Sequence, residues 1–304
     1  MTACPVCKQL QHQFKNYDAH TPPASTRERL RRGLRGLLRA LPAGTPLPGT
    51  LAGQAGSPFG GRVRVCTECG HAVMETPPDL AGLKRYYGRQ YWSERPTQDG
   101  HGAQRGQTRA TAQVELVREC RRLAGQPDLP SETLEIGAAW AGATLRFKEL
   151  SGDSVRTSVC EPGEHWSGHY AQHNIERLAE YYPFEATRQF DHIHSSHWLE
   201  HVLDLESTRR ALASQLKPGG TLFMEVPNCG APYWELNLSD NPHIHFFTAV
   251  SLRRAFSDLG LSCLHCAEYG MSLQERAAGV RPAAEQHAAN PGGIWLRAVF
   301  LNPA

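Results

Sequence analysis

The sequence has no apolar run approaching the ~18 residues that a membrane-spanning helix needs, and its first residues lack a basic region followed by a hydrophobic one. These absences lead to the expectation of a cytoplasmic protein with no transmembrane segment. Lysine is scarce, five of 32 basic residues. Arginine replaces it along the whole chain, so arginine abundance alone identifies no function. Gly 28 and Pro 21 follow no period, which excludes a collagen-like chain. The nine cysteines leave one over, and four form two Cys-x-x-Cys pairs, a metal pattern suited to a reducing compartment and not a disulfide scaffold.

The 304 residues, 40% hydrophobic and 20% charged, are those of a globular protein with one large domain and a smaller module. The net charge of +2 is unevenly spread. Residues 24–64 hold eight arginines against one glutamate, +7, so the remainder sums to −5. By charge, the bulk of the chain is not a nucleic-acid-binding surface.

Residues 1–23 and 59–76 read as two halves of the module. Between them, Leu30, Leu34, Leu37, Leu38 and Leu41 recur at helical spacing with arginines on the other face, which predicts a basic amphipathic helix over 27–41 that Pro42 stops. Residues 45–61 read as a loop, 62–66 as a strand, 79–87 as a short helix and 93–107 as a polar linker. This places a boundary between a module over 1–95 and a domain over 96–304. In the domain, a helix at 108–123 precedes strands at 133–136, 154–160, 190–195 and 221–226, which alternate with helices at 143–150, 164–173 and 207–216. Such alternation predicts parallel strands with crossover helices. A helix at 249–259 and strands at 261–268 and 294–300 complete the reading.

Cys4-x-x-Cys7 and Cys66-x-x-Cys69-Gly70 place two thiolate pairs on tight turns, the arrangement of a tetrahedral zinc site. Loop-closure cost grows only logarithmically, so the long separation is compatible with an insertion. With all four positions cysteine, no coordination site stays open and the zinc would be structural. His12 and His71 are read as lying outside the ligand set. Cys263 and Cys266 fall within a strand at a spacing that points to opposite faces, one into the core and one to the surface.

The run Leu134-Glu135-Ile136-Gly137-Ala138-Ala139-Trp140-Ala141-Gly142 is an apolar strand that ends in small residues before a helix. This is the first βα turn of a doubly wound sheet, where the backbone can approach an adenosine-containing ligand. Glu161 ends the next strand, where it can accept from both ribose hydroxyls or cap the helix that follows.

Residues 190–202, Phe-Asp-His-Ile-His-Ser-Ser-His-Trp-Leu-Glu-His-Val, and residues 216–228, Leu-Lys-Pro-Gly-Gly-Thr-Leu-Phe-Met-Glu-Val-Pro-Asn, resemble class I S-adenosylmethionine-dependent methyltransferases. His243-Ile-His245-Phe-Phe247-Thr248 is similar to a later signature of a small-molecule branch. The cysteine pairs, with Pro77-Pro78 and the tyrosines from Tyr86 to Tyr91, resemble the zinc-binding module that precedes many members, including sugar C-methyltransferases. The resemblance covers nearly the whole chain except residues 20–58. It implies an α/β, doubly wound, mostly parallel seven-stranded Rossmann-like sheet with a small N-terminal zinc-ribbon-like module. It also implies S-adenosylmethionine held by Glu135, Gly137, Ala139, Ala141, Glu161, Ser196 and His197, and a structural zinc on Cys4, Cys7, Cys66 and Cys69. Where the family usually has glycine, this chain has Ala139 and Ala141 with Trp140 between them, and a methyl group there is expected to narrow the methionine channel. Glu176, Glu180 and Glu185 are candidates for the adenine amino group.

Methyl transfer is an in-line displacement, so a base is needed only where the acceptor must lose a proton. The candidates are His243, His245, His197 and His201, with Glu200 orienting an imidazole. His243 and His245 match family positions that approach the acceptor. His192 and His194 share a strand face and are expected to pack beneath a helix. Tyr233 and Trp234 are candidate walls of the acceptor pocket. The leading reading is a methyltransferase acting on a sugar or natural-product intermediate, with a lid or homodimer contact for the basic helix and attachment to an anionic membrane surface as its alternative. The alternatives are an RNA methyltransferase and a catalytically silent binding or assembly protein with an altered cofactor loop.

Overall fold

The computed structural model describes residues 3–17, 61–87, 100–152, 154–185, 188–238, 243–280 and 287–303. The basic helix expected at 27–41, most of the loop at 45–61 and the segment around residues 91 and 92 lie outside the described residues.

Five parallel strands make up one side of a seven-stranded sheet, out to its edge at β6: β4 (Glu132–Ile136), β5 (Arg156–Cys160), β6 (Glu176–Ala179), β7 (Phe190–Ser196) and β8 (Leu216–Pro227). Two antiparallel strands, β10 (Ser262–Ser272) and β11 (Gly293–Leu301), complete it in the order β10-β11-β8-β7-β4-β5-β6. Residues 221–226 of β8 are buried without interruption because helices cover both faces, so the strand reads as an apolar run and not as an alternation. The seven strands and the mostly parallel order agree with the sequence reading. The short strand β6 was not foreseen.

Helix α1 (Leu80–Arg85) is capped by Asp79, whose side chain accepts from Gly82 N–H. The expected linker at 93–107 gives way in part to helix, because α2 runs Gly100–Leu123. α2 packs on α3 (Gly142–Ser151) and buries Val114 and Val117. α4 is Ser167–Gln172, α5 Leu205–Ser214, α6 Ala231–Glu235, α7 Ala249–Ser257 and α8 Leu273–Ala277. α7 begins in a capping box, Thr248 and Ser251 each bonding the other's backbone, and buries Leu252, Ala255 and Phe256.

The N-terminal residues form a second, antiparallel sheet of β1 (His12–Tyr17), β2 (Gly61–Cys66) and β3 (Ala72–Met74). Its fourth strand, β9 (His245–Phe246), comes from the far end of the chain and pairs Ala72 with Phe246 and Val73 with His245. Cys4, Val6, Cys66 and Cys69 share one apolar cluster with Phe247, Leu252 and the main sheet. The module is therefore built into the larger domain.

Register shifts in β10 next to Cys263 overturn the expectation of one core and one surface cysteine. The irregularity breaks the alternation, and Cys263 and Cys266 are both half-buried against the main core. Tyr233 is fully buried and Trp234 packs beside it, its indole N–H donating to Cys229 O, so they fill a core instead of walling a pocket.

Candidate active site

Three strand ends converge on one cleft of about 450 Å³. They are the loop after β4, the end of β5 at Cys160 and Glu161, and the end of β7 at Ser196 and His197. This is the carboxyl edge of the parallel strands, where connections leave β4 toward opposite sides of the sheet. Leu80, Leu83, Lys84 and Tyr87, on and just after α1, close one side.

The loop is tightly specified. Gly137 has φ 66°, and a Cβ there would sit 2.8 Å from Cβ of Trp198, so neither the backbone conformation nor the space admits a larger residue. Ala139 and Ala141 adopt φ 48° and 59°, the left-handed region that glycine would occupy without strain. The Tyr170 hydroxyl donates to Ala139 O, and His169 Nε2 lies 2.9 Å from Trp140 O. The Trp140 ring packs against Gly106, Ala110 and Gly142, away from the cleft. Trp140 therefore does not line the cleft, whereas Ala139, whose methyl group is expected to narrow the methionine channel, does.

Glu161 is buried at the cleft, and its Oε2 accepts from Ala139 N–H at 3.0 Å. Burial pushes its pKa up to about 7. Glu135 lies deeper and accepts from Thr144 N–H at 2.8 Å, and burial likewise raises its carboxyl to about 7. It secures the start of α3 and does not line the cleft. Of the adenine candidates, Glu180 reaches the cleft, next to Tyr181 and Tyr182.

At the other end of the cleft, Glu200 is fully buried in the 3₁₀ turn Leu199–His201. Its Oε1 lies 3.2 Å from His197 Nδ1 and 3.8 Å from both His201 Nε2 and His243 Nε2. The structure thus brings together four of the five predicted catalytic residues. His197 and His201 line the cleft, while His243 stands behind His201 with ring centroids 4.9 Å apart. His245 is placed elsewhere. It is buried against His71, Nδ1 to Nε2 3.2 Å, and burial lowers it to about 4, so the ring stays neutral within the module's sheet. His192 and His194 are buried beside Phe147 and Gln113, as their shared strand face implies.

A charged group the sequence reading missed supports this end. Glu225 accepts from Arg109 Nε at 2.8 Å, Arg297 Nε at 2.5 Å and Ser196 Oγ at 2.9 Å. Burial opposes its charge, but the two guanidinium groups hold its pKa well below the usual range. Arg109 also contacts His197 Nε2 and stacks on Trp295. A guanidinium only donates, so this contact fits a neutral His197 with its Nδ1–H toward Glu200. Burial and Arg109 disfavour the charged ring, yet Glu200 and Glu225 outweigh them and raise its pKa. Arg297 stands directly across from Glu225 between paired strands. Opposite charges in two buried apolar strands were a readable signal of this ion pair. Arg109 carried none.

The four predicted cysteines meet in one cluster. Cys4 and Cys69 sulfurs are 3.7 Å apart, Cys7 and Cys66 sulfurs 3.4 Å, and all four lie within 4.8 Å of one another. Zn–S bonds of ~2.3 Å require tetrahedral edges of ~3.8 Å. The donor set and its spacing fit such an ion.

A methyltransferase-domain family model matches residues 108–266, more than half of the chain. No curated protein sequence matches it. Among solved structures, the N-methyltransferase NodS from Bradyrhizobium japonicum in complex with S-adenosylhomocysteine is 18% identical, with 65% of this chain and 87% of that chain covered and a TM-score of 0.43. The 1,6-didemethyltoxoflavin N1-methyltransferase from Burkholderia thailandensis, with 1,6-didemethyltoxoflavin and S-adenosylhomocysteine bound, is 15% identical over 78% and 97% of the two chains, TM-score 0.47. A complex of the Haloferax volcanii Trm112 methyltransferase activator with a methyltransferase is 18% identical over 63% and 90%, TM-score 0.43.

Proposed function

The chain belongs to this methyltransferase family and is an S-adenosylmethionine-dependent methyltransferase, and from that premise we propose that its acceptor is a small molecule held between the Glu200 cluster and α1. The observation that carries this reading is the cleft itself. Its volume of about 450 Å³ falls in the range of small-ligand sites, roughly 300–1,000 Å³. Its charged lining is Glu161, Glu180 and Asp204 against Lys84, a balance that repels a phosphate backbone.

The nucleoside end of S-adenosylmethionine would lie between Glu161 and Glu180, with Glu161 accepting from the ribose hydroxyls and the aromatic residues Tyr181, Tyr182 and Trp198 walling the slot. The loop at Gly137 and Ala139 would pass the methionine end, directing the methyl group toward Ser196, His197 and His201. There the acceptor atom needs only alignment with the C–S bond and removal of its proton. A sugar or a natural-product intermediate matches this polar, histidine-lined end. Cys4, Cys7, Cys66 and Cys69 would hold a structural zinc that fixes the module, and through it α1, beside the acceptor.

Release of S-adenosylhomocysteine with a panel of small hydroxylated or amino acceptors, in parallel with RNA, tests the reading. Turnover on a small acceptor is expected. Turnover on RNA alone, together with retention of RNA on filters, would overturn it.

A further inference from the structure

We propose that Glu200, His201 and His243 form a second metal site, one that takes a borderline divalent cation such as Zn²⁺, Fe²⁺ or Co²⁺ and presents it to the acceptor. Glu200 Oε1 and the Nε2 atoms of the two histidines come from two separate segments, and one ligand atom from each residue lies within 4.8 Å of the others. The two 3.8 Å separations are too long for hydrogen bonds. They exceed by a few tenths of an ångström the ~3.4 Å edge of a tetrahedral site with bonds of ~2.1 Å.

A second observation points the same way. Glu200 is fully buried, and among the described residues its Oε2 has no hydrogen-bond partner. A buried carboxylate with an unsatisfied oxygen is costly unless a cation compensates it. Among the described residues no arginine forms an ion pair with Glu200, and Arg109 and Arg297, at this end of the cleft, are bonded to Glu225. His197 Nδ1, hydrogen-bonded to Oε1, would orient the carboxylate as a supporting residue.

Two imidazoles and one carboxylate leave coordination positions open, the donor pattern of catalytic and not of structural sites. His201 lines the cleft, so the open side faces the acceptor. This deepens the small-molecule reading and rests on it: the acceptor would carry a hydroxyl or enol oxygen. Bound to the cation, that oxygen loses its proton to cleft water near neutral pH. The oxygen lone pair then forms the O–CH₃ bond while the C–S bond breaks, giving a methyl ether and S-adenosylhomocysteine.

Cobalt titration of the full-length protein, purified with its tightly bound metal in place, separates the sites. Cobalt on cysteines gives intense thiolate charge-transfer bands, whereas cobalt on Glu200, His201 and His243 gives only weak ligand-field bands. Wild type should bind one equivalent of the second kind, removable by a chelator. Glu200→Gln and His201→Gln should weaken it at least tenfold while S-adenosylhomocysteine still binds, which shows that the variants are folded. Absence of that equivalent in wild type, or equal uptake by both variants, would overturn the site. Cobalt uptake does not depend on the acceptor. A protein that binds cobalt here yet methylates only RNA would refute the acceptor reading and leave the site standing.

Discussion

Ala139→Gly should stabilise the protein and leave cofactor binding intact or tighter, although it removes a side chain from the loop that would carry the methionine end. Ala139 holds φ 48° and Ala141 φ 59°. An L residue in the left-handed region lies ~1–2 kcal/mol above glycine. Against this, glycine gives the unfolded chain more freedom, worth ~0.4–1 kcal/mol. Ala139 is half-buried and lines the cleft, so little packing is lost. The net is a stabilisation of ~0.5–1 kcal/mol. Ala141 differs because its methyl group is fully buried. Removing it costs a further ~0.8 kcal/mol, which brings Ala141→Gly close to neutral. Urea midpoints at constant m-value, with calorimetric titration of S-adenosylhomocysteine, read both effects. If Ala139→Gly lowers stability, or if the β-branched Ala139→Val is tolerated without cost, the loop is not in this conformation and the reasoning fails.

Glu161→Ala should weaken S-adenosylmethionine binding by ~1–3 kcal/mol, because two buried ribose hydroxyls lose their acceptor; unchanged calorimetric affinity would remove Glu161 from the site. Acid should destabilise the protein from about pH 6.5 downward, because His71, His192, His194 and His245 are buried and depressed in pKa, so each binds a proton only on unfolding. The raised carboxyls of Glu135 and Glu161 act with opposite sign, their contribution being lost as pH rises through about 7. Near pH 5.5 four imidazoles against two carboxyls leave about two protons, or ~2–3 kcal/mol per pH unit, and urea midpoints that stay level between pH 6.5 and 5 would contradict this. Native protein should contain about one equivalent of tightly held zinc, and Cys66→Ser should lose it and depress acceptor turnover more than cofactor affinity. Equal loss of both would break the proposed link between module and acceptor.

The parallel core was legible because short strand-length segments alternate with helical ones, a pattern that survives without tertiary information even though β7, Phe-Asp-His-Ile-His-Ser-Ser, is largely polar. The edge that lines the cleft was legible for the same reason. Gly137 and Glu161 occupy positions that the βα turn dictates, and both line the cleft. The cysteine cluster was legible because two Cys-x-x-Cys turns specify their own local geometry. What sequence could not supply were contacts made across topology. His243 and His245 are two residues apart, a spacing that regular extended backbone puts on one face, yet His243 precedes β9 and joins the Glu200 cluster while His245 lies in β9 and packs on His71. Arg109 sits in α2, and only the packing of α2 over β7 and β8 carries it to Glu225 and His197.

The same cross-topology contacts explain why a zinc module would matter to chemistry at the acceptor. Residues 243–248 form a short bridge with both ends fixed. Ile244 N–H donates to Glu200 O at 2.8 Å, and its carbonyl accepts from Met74 N–H at 2.9 Å. Four residues on, Thr248 Oγ1 donates to Cys69 O at 2.8 Å. A shift of the cysteine turn therefore reaches α7 through Thr248. A shift of β3 reaches Ile244, and with it the backbone of Glu200 and the neighbouring His243. The loop after β4 has different supports: Ala138 and Ala141 pack with Val159, Tyr170 and Ile175 in a separate cluster. Displacement of the module would thus act first on the cluster proposed to position the acceptor, and only through the main sheet on the loop proposed to hold S-adenosylmethionine.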